Sequence, residues 1–318
     1  MTGAAGFIGS NLVRALAHAG ERVRALDNLV NGFWENLDEF RGNANVELVT
    51  ADVRDAESLF AACRGVEVIF HEAGLGSVPR SIEDPFETDS VNCGGTVRVL
   101  DVARQTGVRR VIFAASSSAY GDSPTLPKRE DMPPNPLSPY AVSKLGAEHY
   151  LRVFSSVYGI ETVGLRYFNV FGPNQRPDGP YAAAIPRFMW AVLSGEPPII
   201  FGDGGTTRDF CYVDNAVQAN LLAAAAPGPF HGELANVATG RRVSLNDLVT
   251  EIARVLGHEI VPEHADPRPG DIRHSLADIS RAQTLFGYRP QVAWEQGLPP
   301  TADFLRSLAR QRGLPCEA

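Results

Sequence analysis

Glycines at every third position open the chain: Gly3, Gly6 and Gly9 in Met1-Thr2-Gly3-Ala4-Ala5-Gly6-Phe7-Ile8-Gly9. Gly3 permits a tight turn, Gly6 lets backbone approach a pyrophosphate, and Gly9 permits close packing of the helix that follows. The N-terminus of that helix then faces the phosphates. The helix carries Ile8, Leu12, Val13 and Leu16 on one side, and Gly20 ends it. Val23 to Leu26 reads as a strand ending in Asp27-Asn28. Asp27 stands at nearly the spacing of ~20 residues at which an acid meets a ribose 2′-hydroxyl. A carboxylate there accepts from the hydroxyl and repels a 2′-phosphate, so the pattern predicts NAD rather than NADP. Only Met1 and Thr2 precede Gly3. The buried strand that should lead into such a motif at the centre of the sheet is therefore expected to be missing or truncated.

The alternation continues. Val46 to Val49 is a strand leading to Asp52-Val53, where a side chain meets adenine; Asp52 reads equally as a helix cap. Val66 to Phe70 is an apolar strand followed by His71-Glu72-Ala73-Gly74, and His71 reads as a strand-end histidine beside the cofactor loop rather than a catalyst. Asn92 to Thr96 opens another helix, and Val108 to Ala114 is a strand running into Ser116-Ser117-Ser118-Ala119-Tyr120-Gly121. Strands alternating with helices imply an α/β fold, a Rossmann-type doubly wound parallel sheet with ligands at the strand C-termini.

Ser138-Pro139-Tyr140-Ala141-Val142-Ser143-Lys144 is the chemically informative stretch. Ser138 suits a helix cap and Pro139 the first helical position. Tyr140 and Lys144 then share one helix face. A tyrosine of pKa ~10 needs a drop of roughly 3 units, about 4 kcal/mol, to act as a base near neutrality. One positive charge at about 4 Å is worth on the order of 4 kcal/mol at an effective dielectric of ~20. Lys144 is thus able to supply much of that shift, with an oxidised nicotinamide adding to it; the bland alternative pairs Lys144 with Glu148.

Composition excludes several functions. The net charge is −8, and basic residues occur only as doublets such as Arg109-Arg110 and Arg241-Arg242, so nucleic acid is not an expected partner. Cys63, Cys93, Cys211 and Cys316 show no C-x-x-C spacing, which favours a reducing cytoplasm and argues against a structural zinc site. No apolar run approaches the ~20 residues of a membrane span, so no membrane partner is expected.

Together with Arg166-Tyr167-Phe168-Asn169-Val170-Phe171-Gly172-Pro173, Arg208-Asp209-Phe210 and Arg268-Pro269-Gly270-Asp271, these motifs resemble the NAD-dependent epimerase/dehydratase family of extended short-chain dehydrogenase/reductases, and within it the UDP-hexose 4-epimerases. Gly76-Ser77-Val78-Pro79-Arg80-Ser81 and Asp271-Ile272-Arg273-His274-Ser275-Leu276 resemble the branch acting on N-acetylated UDP-hexoses. The resemblance implies that Tyr140 is the base, that Ser116 hydrogen-bonds the reacting hydroxyl, and that Lys144 holds the nicotinamide ribose while lowering the Tyr140 pKa. It implies a cofactor site of Gly3, Gly6, Phe7, Ile8, Asp27 and Asn28, with Asp52, Val53, Ala73, Gly74, Asn92 and Tyr167. Arg208 and Arg268 are expected to hold the diphosphate, Asn169 the diphosphate or hexose, and Phe201 the uracil. Gly76, Ser117, Ala183 and Ser275 are small residues mapped to the hexose pocket. Ser275 leaves room for a 2-acetamido group, with Gln175 and Asn169 as partners for it; Ser77 and Asp271 complete the substrate set.

Dehydratases of this family carry an acid and a base directly after the position of Ser116. Ser117 and Ser118 stand there and titrate far from neutrality, which disfavours elimination. The expected reaction is epimerisation at C4 of UDP-N-acetylglucosamine or UDP-glucose through a 4-keto sugar. A UDP-glucuronate 4-epimerase, another UDP-sugar enzyme of the fold, and a non-catalytic NAD-sensing protein remain open. The expected layout is a cofactor domain over 1–173, a smaller mixed α/β substrate lobe over 174–202, a return to the cofactor domain over 203–234, and mainly lobe over 235–318. The family dimerises, which here implicates Gly94 to Gln105 and Ala141 to Ser155.

Overall fold

A computed structural model describes residues 1–177, 183–267 and 272–314. Helix α1 (Phe7–His18) follows the glycine turn and leads to β1 (Val23–Asp27). β2 (Val46–Thr50), α2 (Ala56–Cys63) and β3 (Val68–His71) follow, then the short helices α3 (Val78–Glu83) and α4 (Pro85–Asp89). A π-turn over Ser90–Gly94 feeds α5 (Gly95–Thr106), then come β4 (Arg110–Ser116), α6 (Pro139–Tyr158) and β5 (Glu161–Tyr167). Ser138 caps α6 by accepting from Ala141 N at 3.1 Å, with Pro139 in the first turn, as the sequence predicts.

The sheet is parallel and runs β2-β1-β3-β4-β5 with β10 (His231–Val237) at the far edge. β1 and β3 are joined by Thr2, which pairs in parallel with both Leu26 and His71. Leu26 N donates to Met1 O at 2.8 Å, Thr2 N to Phe70 O at 3.0 Å and Glu72 N to Thr2 O at 3.2 Å. At the place of the central strand expected to be missing or truncated, Met1 and Thr2 pair with Leu26 on one side and with Phe70 and Glu72 on the other.

Apolar residues of β4 divide between two cores because successive side chains point to opposite faces. Ile112 joins α1 and α8 (Val213–Ala225) on one face, whereas Val111, Phe113 and Ala115 meet α2, α5 and α6 on the other. Burial on both faces explains the continuous apolar run.

The second half adds β6 (Val170–Phe171), α7 (Ala184–Leu193), β7 (Ile199–Phe201), β8 (Thr207–Arg208) and β9 (Cys211–Tyr212) before α8. After β10 come β11 (Val243–Ser244), α9 (Leu245–Leu256), β12 (Glu263–Ala265), α10 (Ser280–Phe286) and α11 (Trp294–Gln311). β7 pairs with β12, β8 with β11, and β6 with β9. β9, in the stretch expected to return to the cofactor domain over 203–234, thus pairs with β6 outside the main sheet. The main sheet ends instead with β10, which runs through the boundary expected at 234. Phe171, Phe210 and Tyr212 interleave at 5.6 and 6.4 Å between ring centroids and join the lobe helices to the sheet in one core.

Candidate active site

The C-terminal ends of the strands open into a cleft of about 570 Å³. Its phosphate end is shaped by absent side chains. A Cβ on Gly3, whose φ is +66°, would lie 2.5 Å from Ala73 N, and one on Gly9 would lie 2.0 Å from Gly3 O. Gly6 caps α1 without any side-chain hydrogen bond, leaving the helix start open toward the cleft that Phe7 and Ile8 also line. Such a cradle suits a pyrophosphate. Asp27 faces the same cleft, buried, and accepts from Ala5 N at 2.9 Å and Leu29 N at 2.8 Å. Burial pushes its carboxyl up, and these N–H donors act against the shift.

Asn28, Val53, Ala73, Gly74 and Tyr167 line the cleft as expected. Asp52 stands outside the lining, where the Arg54 guanidinium holds it well below the usual carboxylate range and Asn28 donates to it at 2.8 Å. The cap of α2 is Asp55, which accepts from Glu57 N and Ser58 N. Asn92 lies behind the wall. Its amide bonds Leu75 N at 2.7 Å, Leu75 O at 3.1 Å and Ser143 Oγ at 3.0 Å, pinning the loop after β3 to α6.

Ser116, Tyr140 and Lys144 converge on this cleft from β4 and α6. Lys144 Nζ donates to Ala114 O at 2.9 Å. Burial lowers the Lys144 ammonium to about 8, with Glu72 and Glu148 acting against it. The alternative pairing of Lys144 with Glu148 is not formed, since Glu148 takes two bonds from Arg166 at 2.9 and 2.7 Å. Burial raises the Tyr140 phenol, opposed by the Ser116 hydroxyl. The expected depression of Tyr140 by Lys144 is therefore absent here: desolvation governs both groups, and the lysine proton is engaged on β4. His71 is sealed between Thr2 Oγ1 (2.7 Å) and Thr96 Oγ1 (3.0 Å), and burial lowers it to about 3. It is a neutral structural group, as its strand-end position suggests.

Glu72 carried no role in the sequence reading. It lines the cleft, accepts from the Tyr167 hydroxyl at 2.8 Å, and burial pushes its carboxyl up to about 7.

A second cavity of about 210 Å³ adjoins the first, and Asn169 and Val170 line both. Ala183, Phe201 and Arg208, assigned to the substrate side from the resemblance, line it. Asn169 adopts a left-handed φ of 38° and donates from Nδ2 to Asp209 O at 3.1 Å. Asp209, buried, accepts from Thr239 N, Gly240 N and Ala277 N and so fixes the turn after Arg208. Gln175 lines the larger cleft, and its Oε1 is buried without a hydrogen-bond partner. Arg187, overlooked in the sequence, also lines the second cavity, 5.5 Å from the Phe201 ring centroid. Its signal was a lone cation in the apolar helix Ala184–Leu193.

Gly76 and Ser117 line the larger cleft. Ser77 instead caps α3 through Arg80 N, and Ser275 lines neither cavity, its backbone N donating to Thr207 O at 3.1 Å. Arg268 and Asp271 lie outside the described residues. Among the described residues no group of His, Cys, Asp and Glu is placed to hold a metal ion, and no helix is long and apolar enough to cross a membrane.

Residues 1–238 match the model of the NAD dependent epimerase/dehydratase family. A UDP-glucose 4-epimerase of Mycolicibacterium smegmatis is 42% identical over 310 residues, covering 96% of this chain and 98% of that protein. The solved UDP-N-acetylglucosamine 4-epimerase from Methanobrevibacter ruminantium M1, in complex with UDP-N-acetylmuramic acid, superposes with a TM-score of 0.92 at 39% identity, covering 96% and 97% of the two chains. The UDP-glucuronic acid 4-epimerase from Bacillus cereus, solved with UDP-glucuronic acid and NAD, gives 0.89 at 31% identity over 96% and 98%. A glycine cradle, a buried acid at the end of β1 and a tyrosine–lysine helix on a parallel sheet, in a chain that matches over this length, place the protein in the NAD dependent epimerase/dehydratase family.

Proposed function

We propose that the protein is a UDP-hexose 4-epimerase that interconverts UDP-N-acetylglucosamine and UDP-N-acetylgalactosamine and also accepts UDP-glucose. The observation that carries this reading is the convergence of Ser116, Tyr140 and Lys144 on a cleft shaped for a dinucleotide, which meets at Asn169 a second cavity holding Arg187 and Arg208. Guanidinium groups suit a diphosphate through paired N–H donors.

Gly3, Gly6, Phe7, Ile8, Asp27 and Asn28 would hold NAD, which supplies the acceptor and later the donor of a hydride at C4. Tyr140 takes the O4 proton, and Ser116 holds that oxygen by hydrogen bonding. Lys144 provides the positive charge that favours the phenolate once a dinucleotide adds its own. The sugar turns over as a 4-keto species, so that the hydride would return to the opposite face of C4 while Tyr140 gives its proton back to O4. Ser117 and Ser118 supply neither the acid nor the base that elimination requires, so the reaction stops at epimerisation.

The protein acts as a cytoplasmic homodimer in this reading. Val142, Tyr150, Val153 and Val157 are exposed along α6, the apolar surface such a partner would cover; light scattering at the mass of one chain would refute the dimer. The functional test is NMR of UDP-N-acetylglucosamine mixed with the protein. Appearance of the C4 epimer is expected, and an unchanged spectrum with UDP-glucose also inert would overturn the proposal.

A further inference from the structure

Glu72 is a carboxylate placed at the end of β3, where it lines the cleft together with Tyr167 and Lys144. Glutamate is rarely buried without a partner. Here the partnering is specific. Asn220 Nδ2 donates to the Tyr167 hydroxyl at 2.6 Å, so the single phenolic proton is committed to Glu72 Oε1. The Lys144 charge acts on Glu72 and is acted on by it. Glu148, the other carboxylate near Lys144, is taken up by two bonds from Arg166. Neighbouring His71 is neutral. Beside the Asp27 carboxylate already described, the cleft lining thus includes the Glu72 carboxylate and the Lys144 ammonium, which act on one another.

We propose that Glu72 is a positioning residue of the hydride step, whose carboxylate, when ionised, favours the oxidised, cationic nicotinamide over the neutral reduced form. This rests on the epimerase reading. Oxidation at C4 breaks the C4–H bond and delivers its electron pair with the hydrogen to the cofactor, while the O4 proton goes to Tyr140. The positive charge of the ring disappears as the ketone forms. A carboxylate in the same low-dielectric cleft makes that loss unfavourable, so the balance lies toward giving the hydride back. Return to the alcohol is favoured over release of the ketone with reduced cofactor stranded behind it. Asn220 and Tyr167 act through Glu72 by holding its carboxylate in place.

The test is the reduction potential of the cofactor in the purified holoprotein. Glu72→Gln removes the charge and keeps an oxygen that accepts from Tyr167. It should raise the ratio of reduced to oxidised bound cofactor on the order of tenfold, about 30 mV upward for a two-electron couple. Glu72→Asp should restore the original value. Tyr167→Phe keeps the carboxylate without its donor and should shift the potential the same way by less. Added UDP-sugar should leave more near-ultraviolet absorbance of reduced nicotinamide in Glu72→Gln than in the parent. Unchanged potentials in both Glu72→Gln and Tyr167→Phe overturn the proposal, whether or not epimerisation is seen by NMR. Because the potential is read without sugar, failure of the epimerase reading shows separately.

Discussion

The Lys144 ammonium donates to the Ala114 carbonyl at 2.9 Å, tying the helix that bears Tyr140 to the strand that ends in Ser116. The spacing between Tyr140 and Ser116 is thus held by the lysine bond to the strand backbone.

Removing the phenolic oxygen should therefore leave the site standing. Tyr140→Phe is expected to retain bound NAD and the parent melting temperature while losing turnover by roughly 10²- to 10⁴-fold, the usual worth of a positioned acid–base group. Steady-state kinetics with absorbance of the bound cofactor checks both halves. Normal turnover would remove Tyr140 from its role.

Glu72 also leaves a signature in stability. Burial raises its carboxyl from 4.5 to about 7, so the folded chain binds a proton there that the unfolded chain has released. That contribution is full below about 4.5 and is lost as pH rises through about 7. The melting temperature of the parent relative to Glu72→Gln should fall across this window. A difference that stays flat with pH would contradict the assignment.

The Glu148–Arg166 pair is buried on both sides, and the guanidinium lies 4.7 Å from the Tyr120 ring centroid. Glu148→Ala strands that cation and should cost about 3–5 kcal/mol of unfolding free energy in denaturant melts. Replacing both partners by apolar residues should recover most of the loss. A cost below about 1 kcal/mol would show that Arg166 finds water or another acceptor.

Ser275 sits beside the strand of Arg208, its N–H bonded to Thr207 O. In the epimerase reading, Ser275→Tyr is expected to abolish turnover of UDP-N-acetylglucosamine while sparing UDP-glucose. Equal loss of both substrates would mean that Ser275 does not select the 2-substituent.

What the sequence made legible was local. The Ser138 cap, the Tyr140–Lys144 spacing and the run from Gly3 to Asp27 are set within one or two elements, so period and capping rules suffice. What escaped was contact between distant segments. Glu72 and Tyr167 stand at the ends of different strands, and nothing near either names the other. Glu148 lies one turn from Lys144, yet the strand beside it brings Arg166 into a planar two-bond match that a lysine cannot make. Asp52 was taken for an adenine contact or a cap because Arg54 and Asp55 lie so near it. Thr2 was invisible as a strand because two residues carry no periodicity. They suffice in the folded sheet because neighbours on both sides supply the pairing.

Asn169 borders both cavities with its backbone in a left-handed turn. The two chambers consequently meet at this turn. In the epimerase reading, a long molecule spanning both would be leashed by one end while the other end pivots. Such an arrangement lets a ring present first one side and then the other to a stationary wall, and the tail need never let go.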